Sequence, residues 1–131
     1  MVHTHLRKFT TRDTYPEQKL DNDLCETVVA GKTIYLRGQV PQDLETRENV
    51  AGGDPAGQAG KVVANIDLLL REAGSSLEQI CKVAVYLIDI RNREAVCRVA
   101  GQWLKGVTLC SQVGRRRPCT ARTAARNRRY C

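Results

Sequence analysis

The chain has 131 residues and a formal net charge of +7, which is room for one domain with a real core but not for two. The charge is uneven: residues 106–131 hold seven of the 21 Lys+Arg and no acid, so residues 1–105 carry 14 bases against 14 acids. A neutral body excludes a basic nucleic-acid-binding face there, and no run of about 18 apolar residues is present to span a membrane.

The N-terminal MVHTHLRKF is polar and has no apolar core for a secretion signal. Cys25, Cys81 and Cys97 lie in the body and Cys110, Cys119 and Cys131 in the tail, with no C-x-x-C pair that would suggest zinc or redox chemistry. The expectation is a cytoplasmic protein with reduced thiols.

His3–Phe9 is expected as the first strand. His3 and His5 share one face of it, but no third ligand lies near, so a solvated terminus is expected rather than a metal site. Thr10–Asp23, polar and carrying Pro16, reads as a loop. Leu24–Val29 and Lys32–Arg37 flank Ala30-Gly31 as a hairpin.

Within that hairpin, Thr33–Val40 (TIYLRGQV) runs as a strand into Gly38, with the donor and acceptor of Gln39 just beyond. Strand ends of this kind are where a scaffold presents polar groups to a small molecule. Arg37 is the charged residue there. Pro41–Gly53 is a polar loop.

Asp54–Gly74 is the strongest helix, with Asp54 as cap, Pro55 in the first turn and Gly74 beyond the end. Ala59, Val62, Val63, Ile66, Leu69, Leu70 and Ala73 form its apolar stripe. Ser75–Gln79 is a turn. Ile80–Ile90 is apolar on both faces apart from Lys82 and Asp89, the pattern of a central strand covered on each side. Asn92–Lys105 is a second helix burying Ala95, Val96, Val99, Ala100, Trp103 and Leu104, and Gly106 ends it. Cys25, Cys81 and Cys97 are expected as small core residues. Lys82 and Asp89 could pair or face a cleft, and Tyr35 and Tyr86 could line one or simply pack. Residues 106–131 read as a basic low-complexity tail, expected to be disordered and to form no strand.

From about residue 31 to 105 the chain resembles the reactive-intermediate deaminase family, RidA or YjgF, also called endoribonuclease L-PSP. The matching motifs are the strand with R-G-Q-V-P (Ile34–Pro41), D-P-x-x-Q (Asp54–Gln58), N-I-x-x-L-L-x-E-A-G (Asn65–Gly74) and L-E-x-I-C-K-x-x-V-Y-L-x-D-I (Leu77–Ile90), in that order. The resemblance implies an α+β, chorismate-mutase-like fold: a mixed sheet with two helices on one face, here with the last strands missing or unformed. It also implies a homotrimer with sites between subunits, and hydrolysis of reactive enamines and imines to 2-oxo acids and ammonia without metal or cofactor.

Carried over by position, the ligand-facing residues are Arg37, Gly38 and Gln39, with Tyr35 and Tyr86 beside them. A family tyrosine falls near Leu24 and a family asparagine near Cys97. The family's catalytic arginine and glutamate strands fall in the tail, where nothing matches. Two alternatives stay open: a non-catalytic small-ligand-binding trimer of a divergent subgroup, and an RNA-binding or endoribonuclease-type protein resting on the basic tail.

The tail has the composition of the right gene read in a shifted frame. Val113–Cys131 written as codons and read one nucleotide later permits an apolar strand, a turn, and a second strand with an embedded glutamate, which is what the family has at this point.

Overall fold

The computed structural model describes residues 2–115. Three antiparallel strands, β1 (Thr4–Thr10), β2 (Asp23–Ala30) and β3 (Thr33–Leu36), form one sheet in that order. Gly31 makes the β2–β3 turn at φ +61°, a left-handed conformation that glycine adopts at little cost. The expected loop 10–23 contains a short helix, α1 (Thr11–Thr14), and a 3-10 turn at Pro16–Gln18. Thr10 caps α1 by accepting from the Asp13 amide, and the turn buries Thr11 and Tyr15.

The long helix α2 (Pro55–Glu72) buries Ala59, Val63, Leu69 and Leu70, with Asn65 among them, and Gly74 follows it at φ +80°. Asp54 holds the N-cap position but makes no side-chain cap bond. Its carboxylate lies instead over Gly57, 2.5 Å from where a Cβ would stand. Helix α3 (Arg93–Trp103) packs on α2, and Gly60 faces Val99 where the two helices approach. Gly106, at φ +84°, lies beyond α3.

Strand β4 (Lys82–Leu87) pairs in parallel with β5 (Cys110–Arg115) as a separate two-stranded sheet. The class is therefore α+β with mixed strand directions and two main helices, as expected. The details of the second half differ. Ile80–Ile90 is not a strand covered on both faces: exposure alternates along β4, and Tyr86, Ile88 and Ile90 are exposed. Among the described residues only β5 flanks β4, and one face lacks a covering layer. Trp103 ends α3 at 43% exposure rather than in the core. Cys81 is exposed, whereas Cys25 and Cys97 are half-buried. Asp89 is held by Arg91 at 2.8 Å rather than by Lys82.

The strandless tail is corrected at its beginning. Cys110–Arg115 forms β5, with Val113 opposite Val85 and Arg115 opposite Leu87. The hydrogen-bond ladder to β4 supplies the order that the segment's own weak apolar pattern does not. Residues 116–131, and with them most of the frame-shift reading, lie outside the described residues. No helix among the described residues is long and apolar enough to cross a membrane.

Candidate functional site: a buried glutamate beneath the Arg37–Gln39 turn

Glu26 sits in β2 with 1% of its surface exposed. A buried carboxylate is tolerated only when paired and hydrogen-bonded, and three side chains meet this one. Arg47 Nη1 donates to Oε1 at 2.6 Å. Gln39 Nε2 donates to Oε2 at 2.9 Å and also to the Arg37 carbonyl at 2.9 Å. Arg37 Nη1 stands 3.6 Å from Oε1, an ion pair beyond hydrogen-bonding range. The backbone fixes the arrangement as well, since the Arg37 amide donates to the Glu26 carbonyl at 2.8 Å.

Aromatic rings floor the cluster. The Arg37 guanidinium lies 5.2 Å over the Phe9 ring and 5.9 Å from Tyr15, and that of Arg47 lies 5.0 Å over Phe9. These are cation–π distances. Phe9 and Tyr15 meet edge to face with centroids 6.1 Å apart. From there a polar chain runs into α2: the Tyr15 hydroxyl donates to Gln42 Oε1 at 3.4 Å, Gln42 Nε2 donates to Asn49 Oδ1 at 3.1 Å, and Asn65 Nδ2 donates to the Gln42 carbonyl at 2.8 Å.

The loop after Gly38 is clamped by two charges of opposite sign. Arg7 lies between the paired positions Leu6–Thr27 and Lys8–Cys25, and so across from Glu26. It donates to Glu72 of α2 at 2.6 and 2.8 Å and to Glu45 of the loop at 3.0 Å. A strand-borne cation thus holds residue 45 and a strand-borne anion holds residue 47. Both arginines have left-handed backbones, with φ +53° at Arg7 and +63° at Arg47. That conformation costs about 1–2 kcal/mol for a residue with a Cβ, and the ion pairs offset it. Inside the loop, Asp43 accepts from the amides of Glu45 at 2.8 Å and Thr46 at 2.9 Å.

The electrostatics follow the contacts. The Arg7 hydrogen bonds hold the Glu72 carboxyl below its ordinary range, and Glu72 in turn raises the Arg7 pKa. Burial works against the Arg47 cation, but its hydrogen bond and charge attraction to Glu26 outweigh this, and its pKa is raised. The amides of Thr46 and Glu45 lower that of Asp43.

The structure brings Arg37 and Gln39 together on Glu26. It leaves Gly38 exposed between them with no atom within 4 Å of a built Cβ, and its φ is not left-handed, so the backbone does not demand glycine there. Tyr35, 61% exposed on β3, and Tyr86, 60% exposed on β4, stand on separate sheets. The Tyr86 ring lies against Gly114, 3.4 Å from a built Cβ. Leu24 is exposed, and Cys97 is half-buried in an open groove lined by Arg93, Glu94 and Arg98.

Glu26, Arg47, Phe9 and Tyr15 are site residues that the sequence reading missed. Glu26 had a visible signal, a charge inside the apolar strand LCETVV. Arg47, in a polar loop, had none. No group of three or more His, Cys, Asp and Glu among the described residues could hold a metal.

Comparisons with known proteins converge on one family. The family profile described as Endoribonuclease L-PSP matches residues 18–123. A RutC family protein of Pyrococcus abyssi is 40% identical over 67 residues, 51% of this chain and 52% of that protein. The human 2-iminobutanoate/2-iminopropanoate deaminase is 30% identical over 80 residues, 61% of this chain and 58% of that one. The chain thus spans about half the length of the curated relatives it matches. Among solved structures, a member of the YjgF/YER057c/UK114 family from Mycobacterium tuberculosis superposes with TM-score 0.70 at 16% identity, over 92% of this chain and 89% of that one. RidA from Psychrobacter superposes with TM-score 0.67 at 26% identity, over 75% and 78%.

Proposed function

Because the chain belongs to the Endoribonuclease L-PSP family, the RidA/YjgF proteins, we propose that it hydrolyses reactive imines or enamines of small 2-amino acids to 2-oxo acids and ammonia. Water adds to the imine carbon, the C–N bond breaks, and a carbonyl and ammonia result, with no oxidant or cofactor required. The ligand lies against the Arg37–Gly38–Gln39 turn in a cleft between subunits of a homotrimer, with Tyr35 and Tyr86 contributing exposed ring faces. The observation that carries this reading is the stretch shared with the human deaminase, together with the polar turn held by Glu26. The test is 2-oxo acid release from 2-iminopropanoate generated in situ. The expected result is turnover above buffer that falls in Gln39→Ala, which removes the donor that ties Glu26 to the Arg37 carbonyl and so holds the turn in place. A rate equal to buffer overturns catalysis.

A second reading, a ligand-binding trimer without catalysis, is favoured by one contact set. Glu26 is the fully buried carboxylate among the described residues, and Arg47 and Gln39 already occupy its two oxygens. It is therefore placed to position groups rather than to take a proton from water. A trimer mass with 2-oxo acid binding and no turnover supports this reading. For residues 106–131, sequencing the coding locus in independent isolates tests the frame-shift proposal, and an intact, shared frame sinks it.

A further inference from the structure

We infer that Arg47 is a positioning residue: by holding Glu26 from the loop side it keeps Arg37 off the same carboxylate oxygen, and so sets the form of the Arg37–Gln39 turn. Its effect on turnover rests on the proposed function; its effect on Arg37 does not. By strand register Glu26 has a cation opposite it on each side. Arg7 stands across from it on β1, and the Thr27–Leu36 pairing puts Arg37 across from it at the end of β3. Opposite charges facing each other across antiparallel strands attract and ordinarily pair, yet neither arginine hydrogen-bonds to Glu26. Arg7 is spent on Glu72 and Glu45, and Arg37 Nη1 stops 3.6 Å from Oε1. That oxygen goes instead to Arg47, 21 residues along the chain, at 2.6 Å.

Arg47 reaches Glu26 from a left-handed backbone, φ +63°, in a loop fixed from outside by Asn65 on the Gln42 carbonyl and Arg7 on Glu45. The two guanidinium groups stand over one ring, Arg47 at 5.0 Å and Arg37 at 5.2 Å from the Phe9 centroid, so they contend for one floor as well as one oxygen. The other oxygen of Glu26 is taken by Gln39, which also bonds the Arg37 carbonyl. With both oxygens occupied, the Arg37 guanidinium is held short of contact. Without Arg47, Oε1 is bare beside a guanidinium that needs to advance by less than about 1 Å to reach hydrogen-bonding distance.

The test follows the guanidinium N–H protons of Arg37 by NMR in the full chain, beside turnover of 2-iminopropanoate. In Arg47→Gly, whose backbone accepts a left-handed φ, Arg37 closes on Glu26. Its Nη protons then exchange with water about tenfold more slowly, the scale of a hydrogen bond to a charged group, and kcat/KM falls. In Glu26→Gln/Arg47→Gly the neutral amide offers no charge to close on, so exchange returns to the wild-type rate and kcat/KM rises again. Arg47→Lys keeps a cation on Oε1 and leaves exchange at the wild-type rate. Circular dichroism confirms that each variant is folded. Should Arg47→Gly not fold, Glu26→Gln decides: unchanged exchange at Arg37 supports the inference, and faster exchange overturns it by showing that Arg37 already bonds Glu26. Unchanged exchange in folded Arg47→Gly, or slow exchange that persists in the double variant, also overturns it. Slowed exchange at Arg37 with no turnover in any form overturns only the catalytic reading, and turnover that depends on Arg47 with Arg37 unmoved overturns only this inference.

Discussion

The two sheets of this molecule solve the burial problem differently. The β1–β2–β3 sheet encloses charge: Glu26 and the polar side chains of Gln42 and Asn65 are nearly inaccessible, and the pairs to Arg47 and Arg7 tie the 41–53 loop to the strands. The half with β4, β5 and α3 instead leaves apolar surface outside, with Tyr86 on β4, Ile88 and Ile90 just after it, and Trp103 at the end of α3 all exposed. The first region satisfies its buried charge from within the chain. The second presents a surface of the kind that marks an association face, in keeping with a proposed assembly whose clefts lie between subunits.

The largest expected effect breaks the first region. Arg47→Ala strands a buried carboxylate, and its loss of stability in urea denaturation should be about 3–5 kcal/mol. Next is Leu69→Ala in the shared α2 core, where the side chain is fully buried; its cost should be about 2–5 kcal/mol. In the second region, Ile90→Ser should change monomer stability by no more than about 0.5 kcal/mol, while shifting the sedimentation profile towards smaller species. A large stability loss with an unchanged oligomer profile would erase the contrast. The smallest effect is Gly38→Ala. It should leave stability within about 0.5 kcal/mol, since neither a left-handed backbone nor a clash opposes the methyl group.

Acidification separates the clamps from the rest. Arg7 depresses the Glu72 carboxyl, so that group contributes stability above its unfolded pKa and loses it as pH falls through the lowered folded value. Asp89, held by Arg91 at about 2 against an ordinary 3.8, follows the same sign at the exposed end of β4. Melting temperature should therefore drop more steeply from about pH 5 to 3 in the wild type than in Arg7→Gln, since a carboxylate with an unshifted pKa contributes no such slope. Parallel curves would show that the Arg7 clamp is not formed in solution.

Much of this was legible in the residues. The hairpin signal around Ala30-Gly31 and the period of α2 placed those elements within a residue or two, because each is set by local turn chemistry and an apolar stripe. The long apolar run Ile80–Ile90 misled, because apolar composition reports what a strand can bury and not whether a layer is there to cover it. The segment Cys110–Arg115 was missed for the converse reason: its strand character comes from β4 and not from its own pattern. In the site, Arg37 and Gln39 could be read from TIYLRGQV, and Glu26 could have been suspected from its apolar flanks. Arg47 could not, because its role depends on a left-handed loop backbone and a partner 21 residues away.

The most direct test of the account is a double-mutant cycle at Glu26 and Arg47, read by urea denaturation of Glu26→Gln, Arg47→Gln and the double variant. A buried ion pair that organises the site predicts a coupling of about 2 kcal/mol or more, with the double variant less destabilised than the sum of the two single changes. Additive effects within about 0.5 kcal/mol would contradict it, since independent sites behave that way.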